Sequence, residues 1–124
     1  MLPNFLITDS VQHEDGASGE IELGDAAGKV LVVTLGITRI IEQESLDLTL
    51  HGSVDKGAWT PVGAFPQKFY CGTYTILVDL SPHPELRFLR AQWKMSRWGR
   101  GEPKPLFGFY LFAKESAAQA VAAG

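Results

Sequence analysis

Between residues 17 and 113 several segments of this chain place an apolar residue at every second position, and none sustains the spacing of three and four that builds an amphipathic helix. Successive strand residues point to opposite faces, so this periodicity calls for half-buried β-strands and suits an antiparallel sandwich better than a plan of alternating strands and helices. In "ESLDLTLHGS" (44–53), Leu46, Leu48 and Leu50 share one face and Asp47, Thr49 and His51 the other. "GTYTILVDLS" (72–81) aligns Tyr74, Ile76, Val78 and Leu80. In "LRFLRAQWKMSRW" (86–98), Leu89, Ala91, Trp93 and Met95 face inward while Arg90, Gln92, Lys94 and Ser96 face outward.

Two segments are apolar on both sides. "KVLVVTLGITRI" (29–40) reads as a central strand. "PLFGFYLFA" (105–113) sets Phe107, Phe109 and Leu111 on one face and Leu106, Tyr110 and Phe112 on the other, as expected of a strand covered by the core on one side and a partner chain on the other. "GDAAGK", "VDKG" and "PHPE" mark turns, His83 being a turn residue of the last. Pro61 and Pro66 place the strand "AWTPVGAF" (58–65) at an edge or a bulge, because proline donates nothing to a ladder. With "GEIEL" (19–23) this makes seven strands, or eight, and predicts an all-β fold, an antiparallel β-sandwich of jelly-roll type. Residues 1–113 form that single domain and 114–124 an Ala-rich C-terminal tail.

The longest apolar stretch, "VLVVTLGI" (30–37), is far shorter than the roughly 20 residues of a membrane span. "MLPNFLITDS" lacks the basic start and cleavage site of a signal peptide, so the expectation is a soluble protein, cytoplasmic or part of a particle assembled inside the cell. The lone Cys71 forms no internal disulfide and reads as a small buried hydrophobe. The net charge of −3 is uneven: residues 1–55 carry ten acids against two bases, residues 56–124 nine bases against four acids. Unless the fold interleaves the halves into scattered charge, the asymmetry favours head-to-tail self-association over nucleic acid, which an acidic protein repels.

His13, His51 and His83 stand at no metal-ligand spacing, and neither a G-x-S-x-G elbow nor a phosphate-cradling glycine motif is present. The expectation is a protein that is not an enzyme, with no metal and no cofactor. Trp93 alternates with core residues and is read as core. Trp59 follows a hairpin turn and Trp98 opens one, so each is either packing or a platform for a sugar or a protein partner, with Asp55, Arg97 and Arg100 as polar neighbours. Arg87, Arg90, Lys94, Arg97, Arg100 and Lys104 would suit an anion or nucleic acid if they formed one patch. "SRWGRGEP" (96–103) reads as a basic hairpin connection bent at Gly99 and Gly101, an interface rim and not a catalytic loop.

"SLDLTLHGSVDKGAWTPVGAF" joins an alternating leucine strand to G-S-x-D-x-G-x-W and a short apolar strand. It resembles the hairpin of discoidin-like, galactose-binding-type sandwiches and the "LDVxLQxSxDGxxW" segment of small bacteriophage virion sandwich proteins. "LRFLRAQWKMS" stands where the latter have "RYLRVxW", so the resemblance runs in order over residues 29–113. It implies a structural or interaction sandwich that self-associates or decorates a larger assembly, or alternatively a carbohydrate-binding module. The candidate ligand or interface residues are Trp59, Trp98, Arg97, Arg100, Asp55, Arg90 and Lys94, and the expected partner is a second copy, another protein or a glycan.

Overall fold

The computed structural model describes residues 2–41, 43–98 and 104–116. They form nine strands and no α-helix: β1 (Asn4–Gln12), β2 (Gly16–Ala17), β3 (Ile21–Glu22), β4 (Val30–Ile40), β5 (Glu44–Ser53), β6 (Thr60–Ala64), β7 (Gly72–Asp79), β8 (Phe88–Arg97) and β9 (Phe107–Glu115). A 3-10 turn, Gly24–Ala26, joins β3 to β4. One sheet, A, has the order β1-β9-β4-β7; the other, B, has the order β2-β8-β5-β6, with β3 also on β8.

β2 and β3 are two pieces of one strand position. Between them Ser18 continues the ladder, its N–H donating to the Ala91 carbonyl at 2.8 Å and its Oγ accepting the Ala91 N–H at 2.9 Å. Counted so, eight positions nest as antiparallel pairs: β1 with β9, β2/β3 with β8, β4 with β7, and β5 with β6. A long hairpin rolled up in this way is a jelly roll, the architecture that the turn spacing predicts.

The inward faces follow the alternation. Leu31, Val33, Leu35 and Ile37 of β4 meet Leu46, Leu48 and Leu50 of β5, with Leu89, Ala91 and Trp93 of β8 and Phe107, Phe109 and Leu111 of β9 closing the core. Trp93 meets Phe109 edge to face at 5.5 Å, and its indole N–H donates to the Glu14 carbonyl at 2.9 Å, so the ring is buried without an orphaned donor. Gly16 makes room for it, since a Cβ there would stand 2.6 Å from the ring. β4 is central, between β9 and β7. β6 is an edge strand and its register slips between Leu50 and His51, opposite Pro61, so both devices expected around a strand proline are present.

Three elements differ from the sequence reading. β1 carries no period-two signal because two register shifts interrupt its pairing with β9, and they leave the consecutive Leu6 and Ile7 both buried. β9 runs on to Glu115 and is clamped by the Ser116 N–H on the Val30 carbonyl at 2.8 Å; the remainder of the Ala-rich tail lies outside the described residues. Cys71 is exposed, not buried, because it lies in the link that carries the chain from sheet B to β7 in sheet A.

The outer faces are unlike each other. That of sheet B is polar, with Lys94 opposite Asp47, Gln92 opposite Thr49 and Arg90 opposite His51. That of sheet A carries Tyr110 and Phe112, with the Phe5 ring edge-on to both at 6.1 and 4.9 Å. Tyr110 lies flat across β4, where a Cβ on Gly36 would stand 2.1 Å from its ring.

Candidate functional site

Six of the seven candidates from the sequence lie among the described residues; Asp55, Trp59 and Arg90 stand at one end of the sandwich and Arg97 and Trp98 at the other, with Lys94 on the sheet B face between them. Asp55, Trp59 and Arg90 gather at the β5–β6 turn. Ser53, almost wholly buried, accepts the N–H groups of Asp55 and Lys56 on its Oγ at 3.2 and 2.8 Å. Asp55 Oδ1 then accepts those of Gly57 and Ala58 at 2.8 and 3.4 Å. These bonds, Gly57 first and Ala58 next, hold the Asp55 carboxyl below the usual carboxylate range. Its acceptor capacity builds the turn.

Trp59 is half-buried. Its indole N–H donates to the Lys56 carbonyl at 3.1 Å and the Arg90 guanidinium lies 4.2 Å over its ring. One face of the ring is therefore taken by a cation–π contact. Lys94 stands opposite Asp47, which accepts a hydrogen bond from Gln67 at 3.0 Å. Lys104 pairs with Glu14 at 3.1 Å. Among the described residues, Arg90, Lys94 and Arg97 are spread along β8 while Arg87 precedes it and Lys104 follows in the link to β9, so these bases do not form one patch.

The other end collects the β4–β5, β6–β7 and β8–β9 links. Its organiser is Glu44, only 1% exposed, whose two carboxylate oxygens accept the N–H groups of Ile41 and Leu106 at 3.0 and 2.7 Å. A buried carboxylate is tolerated when its hydrogen-bonding capacity is met, and here it ties two links to each other. Arg97 stands directly opposite Glu44 in the β5–β8 ladder and points into the open end between the sheets. With Lys104, His13 and Leu106 it lines a depression of about 740 Å³.

Trp98, one residue on, points the other way. Its backbone N–H donates to the Gln43 carbonyl at 3.0 Å, which fixes the end of β8, and its ring is 58% exposed. Phe69 meets it edge to face at 6.2 Å, and Tyr70, 72% exposed, lies 6.3 Å from Phe69. The three rings rim a depression of about 410 Å³ whose other walls are Ile40, Gln43 and Glu44. Arg100, Gly99 and Gly101 fall outside the described residues.

Phe69 and Tyr70 do not stand out in the sequence, because "FPQKFYCGTY" carries no alternation. Glu44 and Arg97 do carry a signal: each continues an apolar register, Glu44 that of Leu46, Leu48 and Leu50, Arg97 that of Leu89, Ala91, Trp93 and Met95. A charge in such a register marks a buried ion or the open end of a core.

No protein-family model matches this sequence, and no curated protein does, so neither resemblance noted above is accompanied by a sequence match. Among solved structures the chain is similar to one from the structure of infectious bursal disease virus, Gt strain, with a TM-score of 0.52 at 12% identity. The likeness covers 90% of this chain and 32% of the other, so this chain spans about a third of the length of that neighbour. At that identity the likeness is one of fold, and the two chains share an antiparallel β-sandwich.

Proposed function

We propose that this chain is a non-enzymatic jelly-roll subunit that works by assembly, with copies of itself or onto a larger particle. The observation that carries the reading is the rim of Phe69, Tyr70 and Trp98, three exposed aromatic rings of which Phe69 meets both others. Large aromatic side chains grouped on a surface are the usual anchors of protein interfaces. The structural neighbour, a chain of a virus, supports the same reading. The jelly roll itself also serves lectins, so fold alone does not choose between assembly and sugar binding. Trp59, the better-placed tryptophan of the turn end, weighs against sugar, since Arg90 occupies a ring face that a sugar would need.

Size-exclusion chromatography with light scattering at two salt concentrations tests the reading. The expected result is a species larger than the monomer at micromolar concentration that Trp98→Ala shifts toward the monomer. A strict monomer whose Trp98-dependent binding appears on a glycan array would replace this reading with the carbohydrate-binding one.

A further inference from the structure

Two four-stranded ladders rolled into a sandwich leave edges, and an edge strand offers unpaired N–H and C=O groups to any strand that can lie beside it. Three of the edges here are blunted. β1 is interrupted by two register shifts, β2 and β3 are two residues each, and β6 is short and contains Pro61. β7 is different. It is eight residues long, pairs without a register shift from Gly72 to Asp79, has no proline, and has no charged residue before Asp79. Among the described residues it pairs with β4 alone. Leu77 on its outer side is 65% exposed, and Tyr74 and Ile76 on its inner side are only half-buried.

Resting on the assembly reading above, we propose that the free edge of β7 is where a second copy of this chain docks, its own β7 adding antiparallel across a two-fold axis so that two sheets become one of eight strands. Such an axis, perpendicular to the sheet, keeps outer side chains on the outer face, so opposed residues must share parity. With the axis through Thr75, Thr73 stands opposite the partner's Leu77 and Tyr74 opposite the partner's Ile76. These are aromatic and β-branched or aliphatic pairs, which favour antiparallel pairing.

Charge weighs against the β1 and β2/β3 edges. Residues 2–28, which include β1, β2 and β3, contain Asp9, Glu14, Asp15, Glu20, Glu22 and Asp25 and no lysine or arginine, so a symmetric contact on that side sets acids against acids. Gly72–Val78 opposes no like charges in any such register. The edge also begins two residues after Tyr70, which makes it continuous with the aromatic rim.

Light scattering and amide hydrogen exchange on the full chain test this together. Wild-type protein is expected to dimerise, with exchange over residues 72–79 slowing as concentration rises. Thr75→Lys and Leu77→Lys, both on exposed outer positions, should raise the dimer dissociation constant by about tenfold or more, the first by setting two lysines opposite each other at the axis and the second by removing the aliphatic side chain that faces the partner's Thr73. Assembly that both variants leave intact, or exchange over 72–79 that ignores concentration while mass rises, overturns the β7 edge and leaves the assembly reading standing. A wild-type chain that stays monomeric overturns the β7 edge together with the self-association form of the assembly reading.

Discussion

At the β5–β6 end of the sandwich the chain closes itself with side chains that are neighbours in sequence: Ser53 and Asp55 accept four N–H groups within residues 55–58. At the opposite end the closing group is Glu44, which reaches Leu106, 62 residues away. The first end needs only local chemistry to form, and its polar side chains are consumed in forming it. The second holds its links from a distance and leaves Trp98, Phe69 and Tyr70 outside. A rigid frame with aromatic rings on its rim is what a docking surface requires, whereas a self-satisfied turn presents little that a partner could pair with.

The largest expected effect separates the two ends directly. Glu44→Ala removes the buried carboxylate that accepts the Ile41 and Leu106 N–H groups, and the loss of two hydrogen bonds to a charged acceptor should cost about 2–4 kcal/mol in urea unfolding. Relief from burying a carboxylate offsets part of this, but the two lost charge-assisted bonds outweigh it. A cost under about 1 kcal/mol would mean that the links at this end are held by something other than Glu44.

Ser53→Ala is the matching break at the other end and should cost less, about 1–2 kcal/mol by the same measurement, because the exposed Asp55 and Lys56 N–H groups it abandons can turn to water. Since the turn is local, the loss should leave the aromatic rim and any assembly through it unchanged. If Ser53→Ala costs more than Glu44→Ala, the contrast between the ends is reversed.

How far each end can be read from sequence follows the same division. The turn at "GSVDKG" is visible because Ser, Asp and Gly act on backbone groups two or three residues away. The faces of β5, β7 and β8 are visible because burial imposes a period of two. β1 is hidden because its bulges put Leu6 and Ile7 on the same side, and the rim is hidden because Phe69 and Trp98, 29 positions apart, meet only once sheet B has formed. Trp98, beside a turn, and the charged residues Glu44 and Arg97, standing in apolar registers, are the traces that the distant end leaves in the sequence.

The smallest effect expected concerns pH and belongs to the turn end. His51 faces Arg90 across the β5–β8 ladder, and its Nδ1 is buried with no hydrogen-bond partner among the described residues. Burial, with the Arg90 charge second, lowers its pKa from the ordinary 6.5. Between 6.5 and that lowered value the unfolded chain binds a proton that the folded chain refuses. Stability due to the neutral imidazole is therefore fully present above 6.5 and declines as pH falls through that window. Urea midpoints of the wild type should drop on acidification through this range, and those of His51→Gln should drop less. Asp55, whose carboxyl is held below its ordinary 3.8, acts only at lower pH, so the two contributions separate. Equal slopes for wild type and His51→Gln would place the titrating group elsewhere and leave the turn end indifferent to mild acid.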